Sequence, residues 1–352
     1  MVAKRWVQRP EGSTWGDWGD DDEVGRINLL TPEKVLQGVR EVHAGIAFCL
    51  SLPLDFPGGT TLNQRRRPPV LAPTEDMKGN AGTFYNVHMK DMEEGHPKYV
   101  DVWADDVVTL SLQYSTQWDS LAHVGAEFDA DGDGTEEAVY YNGYRAGVDL
   151  VGPHDDARGD GSGYGCFAHH LGLEHMAATG VQGRGVLVDL ARHLGQDFRL
   201  VDLQTLEEVM AADGVVVEPG DILLLHTGFA TKVLEWNREP DPVAIHRSCS
   251  SLDGRDKALL EWIADSQIAA LVADNYAVEG LIGRDRDESR HSFLPIHHLC
   301  LFRLGVPLGE MWYLHELAQW LGANGRSRFL LTAPPLRLPG AVGSPLTPVA
   351  TV

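Results

Sequence analysis

Three stretches constrain the fold of this chain more than any others: RGVLVDLARHLG (residues 184–195), PGDILLLHTGFA (219–230) and IAALVADNYAVE (268–279). Each holds a run of aliphatic residues too uninterrupted for a strand with one wet face. Such runs read as strands buried on both sides, which occur in sheets covered by helices. Helical segments lie between them: residues 205–213, with a threonine at the start as cap, and the amphipathic segment 257–265. Buried strands alternating with helices define an α/β protein. Thr227, Asp274, Asn275 and Glu310 fall where these strands end, the position at which α/β proteins assemble sites.

The flanking sequence fits the same pattern. A Gly/Asp-rich loop, WGDWGDDDEVGRINLL, runs into a helix for which Thr31 is the N-cap, Pro32 the first residue and Glu33 a favourable first-turn acid. Residues 46–56 read as a strand, 173–180 as a short helix closed by Gly180, and 107–124 as a strand that turns polar. Residues 291–305 are helix-like and lead, after Gly305, into a strand reaching Glu310. Residues 62–101 are irregular and polar, and the Pro-flanked triplet Arg65–Arg66–Arg67 reads as an anion site or, in so acidic a chain, a solvated loop. No repeat or low-complexity linker divides the chain. The expectation is one domain over 1–352, with an N-terminal arm and helix (1–45) and a Pro-rich C-terminal strand and tail (333–352).

Charge narrows the partners. With 51 acidic and 29 basic side chains the formal charge is -22, which repels phosphate backbones and anionic lipid and excludes nucleic acid and membrane surfaces as partners. No apolar run approaches the roughly 18–20 residues that cross a bilayer, and MVAKRWVQRPEGSTW has no apolar segment or cleavage site of a secretory signal. Cys49, Cys166, Cys249 and Cys300 form no C-x-x-C pair, against a zinc knuckle or a disulfide framework, and read as isolated buried thiols. A cytoplasmic, reduced protein acting on a small molecule is the expectation.

Two candidate metal sites share the stretch LQYSTQWDSLAHVGAEFDADGDG (residues 112–134). Asp129, Asp131, Asp133 and Gly134 match the opening of a calcium loop, but position twelve is Tyr140 where a bidentate glutamate is needed, and Glu136 and Glu137 come too early. An acidic surface hairpin accounts for the same residues. In the other site Gln113, Gln117 and Asp119 share one face of an extended segment, because side chains alternate with period two, and His123 follows. Burying three oxygen-bearing side chains on one face is costly unless something positive meets them, as a divalent cation would. The other reading is a solvent-wetted strand face with an ordinary hydrogen-bonded histidine. Trp118, Phe128, Tyr140, Tyr141 and Tyr144 lie nearby in sequence, either as walls for a flat ring or as core.

The chain resembles the metal-dependent cyclase-like hydrolases, the family of bacterial kynurenine formamidase and isatin hydrolase. The family motif H-x-G-T-H-x-D-x-P-x-H aligns with QYSTQWDSLAH, and WGDDDEVGRINLLTPE, EHMAATGVQGRGVLVDLARHLG, PGDILLLHTGF, VADNYAVE and HHLCLFRLGVPLGEMWYLHELA follow in family order. The resemblance implies a swivelling β/β/α domain, a divalent metal, and a homo-oligomer, dimer or tetramer. It implies hydrolysis of an amide bond, as in a cyclic amide, imide or formamide of an aromatic or heterocyclic molecule; a lactone is the alternative bond. The metal ligands it implies are Gln113, Gln117, Asp119, His298 and Glu310, the last two by a twelve-residue spacing, with His123 moving the proton. Gln113 and Gln117 stand where relatives have histidines. Amide oxygens in place of imidazoles favour manganese over zinc, or else mark a metal-free binding protein on the same fold.

Overall fold

The computed structural model describes residues 5–75, 79–80, 82–92, 96–155, 165–280 and 291–352. The first four residues of the N-terminal arm, and parts of the polar stretch 62–101, lie outside the described residues. The architecture is the expected mixed α/β one, built on a nine-stranded sheet. Its strands are β1 (Ala47–Cys49), β2 (Gln117–Asp119), β3 (Gln182–Asp189), β4 (Ile222–His226), β5 (Ala270–Ala273), β6 (Leu308–Glu310), β7 (Arg328–Thr332), β8 (Gly343–Pro345) and β9 (Val349–Thr351). They lie in the order β1-β9-β7-β3-β4-β5-β6-β2-β8. Strands β3 to β6 form a parallel core; β7 closes one side and β2 the other, both antiparallel.

The aliphatic runs are buried on both faces, as their composition requires. Val186, Val188, Leu223, Leu225, Leu271 and Leu308 point into one core cluster. Leu187, Ile222, Leu224 and Val272 point into the other. The main helices are α1 (Pro32–Val39), α2 (Leu203–Ala212), α3 (Phe229–Glu235), α4 (Lys257–Asp265) and α5 (His315–Ala323). Leu206 and Val209 of α2, with Leu259 and Ile263 of α4, cover the first face. Leu317, Ala318 and Leu321 of α5 cover the second. Helix α1 is tied down by charge: Lys34 Nζ lies 3.0 Å from Asp221 Oδ1, and Arg184 grips the same carboxylate in a fork at 2.9 and 3.0 Å. Such bidentate pairs fix direction as well as distance.

Local chemistry explains the boundaries. Thr31 Oγ1 accepts the Lys34 N–H, so α1 starts as read. Helix α2 starts earlier than expected: Asp202 is the N-cap, accepting the Thr205 N–H at 2.9 Å, and Thr205 sits inside the first turn. Residues 190–194, expected to continue β3, turn into a short helix capped by Asp189. The polar stretch 62–101 contains strands after all. Val70–Pro73 pairs with Asp106–Thr109, and Val87–His88 with Val102–Trp103, in ribbons that stand away from the core with Leu71, Val102 and Trp103 exposed. Of the four free thiols, Cys249 and Cys300 are buried as expected, while Cys49 and Cys166 are exposed. No helix among the described residues is long and apolar enough to cross a membrane.

Candidate active site

Strand β2 places Gln117 and Asp119 on one face and Trp118 on the other, where its ring packs edge-on to Trp312. Pairing with β6 sets Gln117 directly across from Glu310. The loop entering β2 is held from two sides: Thr116 Oγ1 donates to the Met311 carbonyl at 2.6 Å and accepts the Leu52 N–H at 2.9 Å. Three buried side chains meet beneath this face. Asp119, His297 and Glu310 each offer a ligand atom within 4.8 Å of the others. Gln117 Nε2 donates to Asp119 Oδ1 at 3.3 Å and to Glu310 Oε2 at 3.1 Å. Its Oε1 faces Arg66 Nη1 at 3.5 Å.

His297 is the charged centre of the group. Its Nδ1 lies 3.0 Å from Glu279 Oε1 and its Nε2 3.3 Å from Glu310 Oε1. Burial opposes the imidazolium, but the two carboxylates outweigh it and push the His297 pKa up to about 10. The same contact, against the pull of burial, holds Glu310 below the usual carboxylate range. Burial raises the Asp119 pKa, and the charge of Glu310 raises it further, against the pull of His123 and His297. His123 stands at the open side, half-buried, with Nε2 3.9 Å from Asp119 Oδ1.

The residues fit a divalent cation. Asp119 Oδ2 is buried with no hydrogen-bond partner, and a buried carboxylate oxygen without a partner is costly. Asp119 and Glu310 bring two buried carboxylates together with the imidazole of His297, a mixed oxygen and nitrogen donor set of the kind that holds a divalent ion. Gln117 reaches the carboxylates through its nitrogen. A half-turn of the amide exchanges that nitrogen for the oxygen and converts a donor into a ligand.

Of the residues expected from sequence, Gln117, Asp119 and Glu310 converge, with His123 at the edge. Gln113 stands beside them: its carbonyl accepts from Arg66 Nη1 at 2.7 Å, and its side chain lies against Gly343, the β8 residue paired with Asp119. His298 is elsewhere. Its ring lies 5.0 Å from that of Phe302, and it lines an open groove of about 830 Å³ with Val124, Phe128 and Leu294. Burial pushes its pKa down to about 4, so it stays neutral. His297 takes the place assigned to it. Glu279 and Glu310 both reach His297, whereas His298 turns to Phe302 at the start of a π-helix over His298–Arg303. Sequence reasoning also missed Glu279, at the end of VADNYAVE, and Arg66, one of three adjacent arginines and the one that turns inward. Trp118, Tyr141 and Tyr144 are core residues, whereas Phe128 and Tyr140 are only partly buried.

The Asp-rich segment is a surface hairpin loop, in which Asp129 and Asp131 come within 4.8 Å of Glu137, an acid that its sequence position had placed too early. It joins Ala126–Phe128 to Glu137–Val139. Asp129 spends its oxygens on the backbone N–H groups of Gly132, Asp133 and Gly134, and Arg145 bridges Asp131 and Glu137 at 2.9 and 3.1 Å.

Comparison with known proteins agrees with this fold and places the chain in a family. Residues 50–280 match the model of the Cyclase family, described as "Putative cyclase". A crystal structure described as that of a novel cyclase is 32% identical, with a TM-score of 0.72 and 97% of each chain covered. The chain therefore belongs to the cyclase family. Isatin hydrolase A from Labrenzia aggregata, bound to benzyl benzoate, shares the fold at 13% identity, with a TM-score of 0.52 over 91% of this chain and 98% of that one. Isatin hydrolase A from Ralstonia solanacearum does so at 13% identity and a TM-score of 0.52, over 87% and 91%. No protein of curated function matches the chain.

Proposed function

We propose that this protein is a metal-dependent hydrolase that cleaves an amide bond in a small aromatic or heterocyclic molecule, with a cyclic amide, imide or formamide as the substrate class. The observation that carries the reading is the buried Asp119–His297–Glu310 cluster, with its unpartnered Asp119 oxygen, beneath the half-buried His123. Asp119, Glu310 and His297, once its Nε2 gives up the proton it shares with Glu310, would hold the ion, joined by Gln117 once its amide turns. Oxygen donors then outnumber nitrogen, which favours manganese over zinc. When bound, such an ion acidifies a water and polarises a carbonyl.

The chain's own groups do the rest. Glu279 fixes the His297 ring through Nδ1, leaving Nε2 directed at the site. His123 is near enough to Asp119 to be oriented by it and open enough to exchange protons with solvent. It takes a proton from the attacking water and delivers it to the leaving nitrogen. The exposed ribbons, with apolar side chains on both faces, support a homo-oligomer in which they are covered.

One observation favours a second reading, a metal-free binding protein: Gln117 Nε2 already hydrogen-bonds both carboxylates. Elemental analysis of protein purified without added metal, followed by assay against cyclic imides and aryl formamides, separates the two. Near-stoichiometric manganese with turnover supports the hydrolase. Metal-free protein that gains neither metal nor activity on incubation with manganese supports the alternative.

A further inference from the structure

The opposite face of the sheet carries a second constellation that the hydrolytic reading leaves unused. Asp189 ends β3, His226 ends β4, and Asp274 follows β5, so three neighbouring parallel strands deliver an Asp–His–Asp row at their carboxyl ends. Alternation along β4 puts His226 on the face of Ile222 and Leu224, towards α5. Asp119 and Glu310 alternate instead with Trp118 and Gly309 and lie on the face of Leu308. The two groups are therefore separated by the sheet.

Almost every acceptor in the row is taken. Asp189 Oδ1 accepts from His226 Nδ1 at 2.7 Å and from the Arg192 N–H at 3.1 Å. Asp274 accepts from the Thr227 N–H, the Thr227 hydroxyl and the Gly228 N–H at 2.6–2.8 Å. What is left over is on the donor side. His226 is 4% exposed, yet its Nε2 has no hydrogen-bond partner, the nearest acid oxygen, Asp274 Oδ2, being 4.0 Å away. Thr231 Oγ1, on the first turn of α3, is buried without a partner as well. Both residues, with Arg192 and His315, line one cleft of about 430 Å³ between the strand ends and α5.

We propose that this cleft is a second binding site, and that it takes the carboxylate of a small organic acid on His226 Nε2, Thr231 Oγ1 and the Arg192 guanidinium. A carboxylate is acceptor-only, and the two unpartnered atoms of this wall, Thr231 Oγ1 and, in the doubly protonated ring, His226 Nε2, can both donate to it. Burial opposes the charge on His226, but the carboxylates on either side of the ring, Asp189 at Nδ1 and Asp274 4.0 Å from Nε2, favour the doubly protonated form, whose Nε2 would make a charge-assisted hydrogen bond. Arg192 is half-exposed at the rim, where its Nη1 lies 3.5 Å from Asp213 Oδ1, and it would exchange that surface pair for the bound carboxylate. Small residues, Gly228 and Ala318 among them, leave the room. The inference stands apart from the hydrolase reading.

The test uses the full chain, stripped of metal and labelled with 15N at histidine, titrated with benzoate and separately with benzamide while the His226 imidazole resonances are followed. Benzoate should shift them saturably, and benzamide should bind at least about tenfold more weakly, because it offers no charge to the imidazolium. Thr231→Val and Arg192→Gln should each weaken benzoate about three- to tenfold, with the other histidine resonances reporting that the fold is intact. Asp119→Asn, on the other face, should leave benzoate binding unchanged. No saturable shift at His226, equal affinity for benzamide, or undiminished benzoate binding in both wall variants would each overturn the proposal.

Discussion

One oxygen of Glu279 accepts two hydrogen bonds from His297, one from the ring Nδ1 at 3.0 Å and one from the backbone N–H at 3.0 Å. The ring and the chain that carries it are thus fixed by one carboxylate, and Nε2 can only face Glu310. Glu279→Gln keeps the shape but removes the charge behind the ring. Loss of such an outer partner typically costs about 10–100-fold in metal affinity. Titration of stripped protein with manganese should show that loss; unchanged affinity would remove Glu279 from the site.

The raised pKa of His297 has a consequence for stability. In metal-free protein its folded value, about 10, lies above the unfolded value of 6.5. The contribution is then fully present below pH 6.5 and is lost as pH rises through 10. Urea midpoints of stripped protein should fall between pH 7 and pH 10 more steeply than those of His297→Gln. Parallel profiles would mean that the imidazole is not charged in the folded state.

Asp119→Ala should abolish most metal binding, since it removes the oxygen that now lacks any partner. Elemental analysis reads this directly. Full metal content in that variant would sink the assignment of the site.

His123→Ala should retain metal and lose activity by about a hundredfold to ten-thousandfold, the usual contribution of general acid–base catalysis. The imidazole limb of the pH–rate profile should vanish with it. An emptied metal site would make His123 a ligand, and intact turnover would make it structural.

Replacing Asp131 and Asp133 with asparagine should leave turnover and metal content intact. Asp131 is an exposed partner of Arg145, and exposed pairs contribute about 0–1 kcal/mol. A large loss of activity would place the chemistry in the hairpin loop.

Much of this was legible in the sequence, for reasons that differ by residue. The aliphatic runs identified β3, β4 and β5 because strands buried on both faces admit nothing else. The caps of α1 were readable because Thr31 and Pro32 act locally. Asp202 as the cap of α2 was not, since Asp202 and Thr205 are both good caps and only the entry angle of the chain decides. In the site, Gln117, Asp119 and His123 come from one short segment and were found together. His297 was passed over for its neighbour because two adjacent histidines look alike in sequence and only the packing of Glu279 and Glu310 tells them apart. Glu279 and Arg66 reach the site through tertiary packing, which leaves no spacing to read.

The two adjacent imidazoles at the start of the π turn are opposites. In metal-free protein His297 is held charged among carboxylates, and His298 is a neutral ring against Phe302. Residue identity is the same at both positions, so the difference in charge is set by what each ring meets, two carboxylates at one and an aromatic ring at the other. A change that drew Glu279 and Glu310 away would leave His297 as uncharged as its neighbour, without altering either histidine.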